Sequence, residues 1–143
     1  HQSNILILGL GKVGLTLGWR LKVLGAQLFS VTRSKKAIAR GIDLGFNMIK
    51  YDELNSILPE IDIIFNTVPA LVLTSEYFKY INKETVIIDL ASSPGGVDFN
   101  AAKAKKIEAG LAPGLPGKVA PRTAGEILGK IIPKLISQYK PKD

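Results

Sequence analysis

Short, almost wholly apolar runs alternate along this chain with stretches whose apolar residues recur every three or four positions. Ile5-Leu6-Ile7-Leu8, residues 61–67 and Thr85-Val86-Ile87-Ile88-Asp89 are of the first kind. They are too short for helices and apolar on both faces, as strands covered by helices are. Residues 13–24 are of the second kind, with Val13, Leu17, Leu21 and Leu24 on one helical stripe, Trp19 within it as a packing residue, and Gly25 as a stop.

The same alternation continues to the end. Residues 27–31 read as a second strand, and Ser34 caps a helix that turns Ile38 and Ile42 inward and closes at Gly45. A short third strand is expected near residues 47–50. The strand at 61–67 leaves through Asn66-Thr67-Val68-Pro69, and the helix after it faces inward with Tyr77, Phe78 and Ile81. Asp98 caps a helix over 99–106, residues 109–112 form a last strand, and a loop over 113–120 leads into a helix over 121–139. Pro121 suits a first helical turn, whereas Pro133 removes a hydrogen bond to the Gly129 carbonyl and predicts a kink. About six strands alternating with helices predict an α/β fold of the Rossmann type. Its parallel sheet is doubly wound in the order 3-2-1-4-5-6, with helices on both faces and ligands at the C-terminal strand ends.

The first strand runs straight into Gly9-Leu10-Gly11-Lys12-Val13-Gly14, a G-x-G-x-x-G spacing. Gly9 permits the tight turn, Gly11 lets backbone approach a pyrophosphate, and Gly14 lets the next helix pack on the strand. That helix offers the phosphates its free N–H groups and positive dipole end. The flanking strand and helix make this a dinucleotide site rather than a glycine-rich turn serving packing alone. The acidic residue that usually holds the adenosine ribose belongs about 20 residues on. None occurs between Gly9 and Asp43; the second strand ends instead in Thr32-Arg33-Ser34-Lys35-Lys36. Arg33 can lie along the adenine and pair with a 2′-phosphate, Thr32 and Ser34 can donate hydroxyl hydrogen bonds, and Lys35 or Lys36 adds charge. A missing carboxylate also removes repulsion. Both changes favour NADP over NAD, against the plain alternative of a basic, capped helix start that binds nothing.

Composition narrows the classes. With 143 residues, 46% hydrophobic and 22% charged, the chain suits one globular domain, residues 1–143. The missing initial Met suggests a domain cut from a longer chain, with His1-Gln2 native or added. No apolar run approaches the ~18 residues of a membrane span. The net charge of +7 is spread over helices and the tail without aromatic interleaving, which argues against nucleic acid; a phosphorylated cofactor and an anionic substrate are the better partners, and a solvated surface is the plain reading of most of the charge. The absence of Cys excludes disulfides and thiolate catalysis and suits a reducing compartment. His1 is the only histidine, so no Ser/His/Asp set exists, and no carboxylate cluster has metal-ligand spacing. Hydride transfer needs neither, because the cofactor carries the reaction.

Three loops at the strand ends would hold the chemistry. Thr67, Val68 and Pro69 belong beside a nicotinamide ribose, and Ala91-Ser92 begins a loop that ends in Gly95-Gly96-Val97-Asp98. In that loop Asp89 reads as a structural acceptor rather than a base. The third loop carries Pro116, Gly117, Lys118, Val119, Arg122 and Thr123 ahead of a helix, and Lys118 or Arg122 suits a carboxylate. Each loop also has a plainer reading, as a Gly/Pro-ordered connection.

Two of these segments are long and specific. Asp89-Leu90-Ala91-Ser92-Ser93-Pro94-Gly95-Gly96-Val97-Asp98-Phe99 and Ala112-Pro113-Gly114-Leu115-Pro116-Gly117-Lys118-Val119-Ala120-Pro121-Arg122-Thr123-Ala124-Gly125, with the glycine turn and Asn66-Thr67-Val68-Pro69, resemble the A subunits of bacterial dipicolinate synthases. The resemblance covers nearly the whole chain but only the nucleotide-binding half of such a protein. It implies NADP-dependent oxidation of a dihydrodipicolinate-type dicarboxylate to pyridine-2,6-dicarboxylate for spore formation. It also implies a flavoprotein-like B subunit as partner and the mother-cell cytoplasm as location; a homo-oligomer stays open. Ser92 would orient the ring or relay a proton. Gly129 and Pro133 depart from the smoother last helix of the relatives. The third loop is also similar to the Pro-Gly-Gly-Val-Gly-Pro segment of methylenetetrahydrofolate dehydrogenases, which supports a cofactor-facing role for Pro116, Gly117 and Val119. The alternatives are another two-domain NADP dehydrogenase, of hydroxy-acid or methylenetetrahydrofolate type, and a non-catalytic nucleotide-sensing module.

Overall fold

The computed structural model describes residues 3–115, 118, 121, 122, 125, 126, 129, 130 and 132. The chain divides into two compact units, His1–Pro113 and Gly114–Asp143.

In the first unit six strands, β1 (Asn4–Leu8), β2 (Gln27–Val31), β3 (Asn47–Ile49), β4 (Ile63–Asn66), β5 (Val86–Asp89) and β6 (Glu108–Leu111), lie parallel in the order β3-β2-β1-β4-β5-β6. This is the expected Rossmann-type order. It follows from strands apolar on both faces: Leu6 and Leu8 of β1 pack into one core with Val31, Ile64, Phe78 and Ile87, while Ile5 and Ile7 pack into the other with Leu10, Leu28 and Phe46. Successive residues of a strand point to opposite sides, so a four-residue apolar run serves two cores. The winding direction reverses between β1 and β4, which opens a crevice at their C-terminal ends.

The helices are α1 (Lys12–Val23), α2 (Lys35–Asp43), α3 (Leu54–Ile57) and α4 (Phe99–Lys105). The stripe expected on α1 is corrected at its two ends. Leu17 and Leu21 are half-buried and pack against the core, but Val13 and Leu24 are exposed, and Gly14 and Gly18 form the fully buried ridge. A Cβ on Gly18 would stand 2.8 Å from Leu28 and 3.0 Å from Phe46, so the helix lies closer to the sheet than a leucine ridge allows. Trp19 is not a packing residue either: it is 43% exposed, with the Arg20 guanidinium over its ring. On α2 the buried face is Ala37 and Gly41, and Ile42, expected inward, is exposed for the same reason. Ser34 caps α2 by accepting from the Ala37 N–H at 3.3 Å, and Gly45 follows with φ +72°, both as anticipated.

Between β3 and β4 the chain makes 3-10 turns at Tyr51–Glu53 and Leu58–Glu60 around α3, burying Leu54 and Leu58 four residues apart. The apolar pattern there is too short to announce a helix. A 3-10 helix, Ser75–Lys79, replaces a full helix after β4 and buries Phe78. Asp98 caps α4, accepting from the Ala101 N–H at 2.9 Å. β6 begins one residue before the expected strand.

In the second unit Leu115 and Lys118, expected in a loop, already have helical backbone, and the Lys118 N–H donates to the Gly114 carbonyl at 3.2 Å. Pro121, Arg122, Gly125, Glu126, Gly129, Lys130 and Ile132 continue helical. The kink anticipated at Pro133 lies outside the described residues.

Candidate functional site

The C-terminal edge of the sheet gathers the glycine turn after β1, Thr32–Ser34 after β2, Tyr51 after β3, residues 67–70 after β4 and residues 90–96 after β5. Gly9 has φ +88° and donates its N–H to the Val31 carbonyl at 2.9 Å. A Cβ there would come within 2.6 Å of Val68 and 2.8 Å of the Thr67 hydroxyl. The Thr67 hydroxyl in turn bonds the Leu8 and Gly9 carbonyls at 3.1 and 3.0 Å, pinning the turn from the neighbouring strand. A Cβ on Gly14 would strike the Gly9 carbonyl.

Gly11 differs in kind. It is exposed, a Cβ on it would meet nothing within 4 Å, and as N-cap of α1 it brings no side-chain cap. The first turn of α1 therefore presents its N–H groups to open space, as a pyrophosphate requires. Leu10 turns its side chain into the core, while Lys12 and Val13 are exposed. The turn thus fits a dinucleotide.

Past β2 the Arg33 guanidinium lies 5.3 Å from the centre of the Tyr51 ring, a cation–π contact. Thr32, Arg33, Ser34 and Tyr51 face Gly9, Val68, Leu71 and Val72 across a pocket of about 370 Å³. Tyr51 is not anticipated from the sequence; the only signal for it is its position just past a strand of this edge. On the other side of Ser34, Gly11, Lys12, Thr16, Lys36 and Arg40 line a second opening of about 490 Å³. Lys35 is exposed and lines neither. The Thr32 hydroxyl oxygen accepts from the Ser34 N–H at 3.4 Å, and the Ser34 hydroxyl oxygen accepts in its cap, so each keeps a proton to donate.

The loops after β4 and β5 share one hub. Asp89 is fully buried and its carboxylate accepts from the Asn66 side chain at 2.8 Å, the Ala91 N–H at 3.0 Å and the Gly96 N–H at 2.7 Å. This is the structural acceptor role expected of it. Asn66, also buried, uses its amide on both Val68 backbone groups at 3.0 Å. The Gly96 carbonyl then accepts from Val72 and Leu73, each at 3.0 Å. A Cβ on Gly96 would collide with the Ala70 carbonyl and the Asn66 amide, so the two loops lie in backbone contact. Thr67, Val68, Pro69, Ala91 and Ser92 are thereby brought to one edge, with Ala91 buried and Pro69 and Ser92 exposed. The Ser93–Pro94 peptide within this loop is cis.

Lys118 and Arg122 stand on helical backbone of the second unit, both exposed, and Arg122 pairs with Glu126 at 3.2 Å. Pro116, Gly117 and Val119 lie outside the described residues. Among the described residues no group of three or more His, Cys, Asp or Glu is placed to hold a metal, and no helix is long and apolar enough to cross a membrane.

Residues 1–103 match the family model of the D-isomer specific 2-hydroxyacid dehydrogenase NAD binding domain. The dipicolinate synthase A subunit of Bacillus subtilis (strain 168) is 40% identical over all 143 residues, which correspond to 48% of its length. The crystal structure of the dipicolinate synthase A subunit from Bacillus halodurans superposes with a TM-score of 0.90 and 39% identity, over 99% of this chain and 48% of that one. D-lactate dehydrogenase from Escherichia coli shares the fold, with a TM-score of 0.66 and 21% identity over 79% of this chain and 38% of its own. The chain thus spans about half the length of the dipicolinate synthase proteins it matches.

Proposed function

The chain belongs to the family of D-isomer specific 2-hydroxyacid dehydrogenase NAD-binding domains, and from that premise we propose that it is the cofactor-binding half of a dipicolinate synthase A subunit that uses NADP. The full-length identity to the Bacillus subtilis protein carries this reading, because it includes the last forty residues that the family model leaves unmatched. A 2-hydroxy-acid substrate is the second reading, favoured by the family match. It asks for an acid–base histidine, and this chain has only His1.

The proposed reaction removes a hydride and a proton from a dihydrodipicolinate-type dicarboxylate and leaves the aromatic pyridine-2,6-dicarboxylate. When bound, the oxidised nicotinamide supplies the hydride acceptor. This chain's own residues orient and hold. The Gly9–Gly14 turn with its α1 N-terminus takes the pyrophosphate, and the basic end of β2, with no carboxylate to repel it, takes the phosphorylated adenosine. Thr67, Val68, Pro69, Ala91 and Ser92 set the plane of the nicotinamide from the hub of Asn66 and Asp89, and Ser92 orients the substrate ring or relays its proton. Lys118 and Arg122 keep an assignment to a substrate carboxylate on their sequence motif. Aromatisation supplies the driving force, so alignment is the larger part of the task. By the same resemblance the partner is a B subunit and the location the mother-cell cytoplasm of a spore former.

Calorimetric titration is expected to show NADP⁺ binding about tenfold or more tighter than NAD⁺, the scale of one or two charge-assisted hydrogen bonds to a phosphate. Equal affinities would remove the preference. With a dihydrodipicolinate-type substrate, NADPH formation by this chain alone is expected to be slow and to rise when the other half of the protein is supplied. Full turnover by the isolated chain would show the missing half to be dispensable, and NADPH formation with a 2-hydroxy acid instead would favour the second reading.

A further inference from the structure

Two openings flank Ser34, and their walls differ in chemistry. The one on the Gly9 side has a tyrosine ring and the apolar side chains of Val68, Leu71 and Val72, a slot suited to a flat base. The one on the Gly11 side carries three cations, Lys12, Lys36 and Arg40. Lys36 and Arg40 are four apart on α2 and so share a face. The single ion pair among the described residues joins Arg122 to Glu126, so no described carboxylate pairs with these three. Arg33, meanwhile, lies over the Tyr51 ring and lines the base-shaped opening.

We propose that the opening between α1 and α2 is an anion notch that seats the 2′-phosphate of the dinucleotide, and that Lys36 and Arg40 decide between phosphorylated and unphosphorylated cofactor. This rests on the dinucleotide reading above and divides the work at the adenosine end. Arg33 stacks on Tyr51 and covers the base, a contact that both cofactors make. The notch supplies what only one of them uses. An ammonium and a guanidinium on one face of α2, with the Ser34 hydroxyl at the start of that helix, line the opening and give a phosphate dianion charge-assisted donors. The positive N-terminal end of α2 adds to them.

The test is calorimetric titration of the wild-type chain and of Lys36→Ala, Arg40→Ala and Arg33→Ala with NADP⁺, NAD⁺, 2′,5′-ADP and 5′-AMP. All three side chains are exposed, so unchanged melting temperatures are the folding control. Lys36→Ala and Arg40→Ala are each expected to weaken NADP⁺ and 2′,5′-ADP by about tenfold, leaving NAD⁺ and 5′-AMP within about twofold. Arg33→Ala is expected to weaken all four alike. Raised salt should erode the NADP⁺ advantage of the wild type, whereas the Arg40 variant, which has already lost most of it, should show an NADP⁺ to NAD⁺ ratio that changes little with salt. If the NADP⁺ to NAD⁺ ratio stays unmoved in the Lys36 and Arg40 variants, or collapses in Arg33→Ala alone, the notch is not the phosphate seat. A wild type that binds NAD⁺ without preferring NADP⁺ overturns the notch and leaves the dinucleotide reading standing. One that binds none of the four overturns both.

Discussion

Asp89→Ala is expected to lower the folding stability of the first unit by about 3–5 kcal/mol and to abolish dinucleotide binding. Three donors converge on that carboxylate from Asn66, Ala91 and Gly96, and the group is fully buried. Its removal orphans all three where water does not reach, at about 1–3 kcal/mol each before relaxation. Whole domains are stable by only about 5–15 kcal/mol, so the variant should unfold at markedly lower urea. Asp89→Asn keeps the volume but turns an amide NH₂ toward one of the donors, and should fall between the two proteins. A loss below about 1 kcal/mol in Asp89→Ala would mean that the loops after β4 and β5 are held by other contacts.

Gly9→Ala should come next in size, and its comparison with Gly11→Ala isolates the role of the turn. At φ +88° an L-residue bears a backbone cost of about 1–2 kcal/mol. The new Cβ would also press on Val68 at 2.6 Å and on the Thr67 hydroxyl at 2.8 Å. Displacing Thr67 breaks its hold on the Leu8 and Gly9 carbonyls, worth about 1 kcal/mol more. A combined loss of about 2–4 kcal/mol, with nucleotide affinity down about a hundredfold, is the expected outcome. Gly11→Ala meets no protein atom within 4 Å. It should therefore keep its stability to within about 1 kcal/mol while still losing affinity, because its methyl group enters the space left for phosphate. If Gly11→Ala binds NADP⁺ like the wild type, the pyrophosphate does not cross that turn.

Much of the fold and of the cofactor turn is legible without coordinates, and the misreadings have a common cause. The periodic pattern at α1 points to Val13, Leu17, Leu21 and Leu24. Leu17 and Leu21 do pack against the core, but Val13 and Leu24 are exposed and the fully buried positions are Gly14 and Gly18, as on α2 they are Ala37 and Gly41 rather than Ile42. An apolar stripe reports only where apolar side chains recur; which positions touch the sheet depends on the helix–sheet distance, which the facing Leu28, Phe46 and Met48 set. Tyr51 and Arg40 are invisible as lining of the two openings for a similar reason. Each is ordinary in its own segment and acquires meaning from a neighbour elsewhere, Arg33 for the first and Lys12 for the second.

The amino-acid sequence by itself determined the six strands and their order, the phosphate turn and the absence of an acidic partner at the adenosine end. These depend on local periodicity, on glycine's freedom at positive φ and on which residues exist at all. Only the tertiary structure decided that Asn66 and Asp89, 23 residues apart, join the loops after β4 and β5, and that Ser34 stands between an opening with a tyrosine ring and apolar side chains and an opening lined by three cations. Such groupings form when the sheet brings distant strand ends together, and hydrogen bonds and charge pairs a few ångströms long leave no trace in the spacing of residues along a chain.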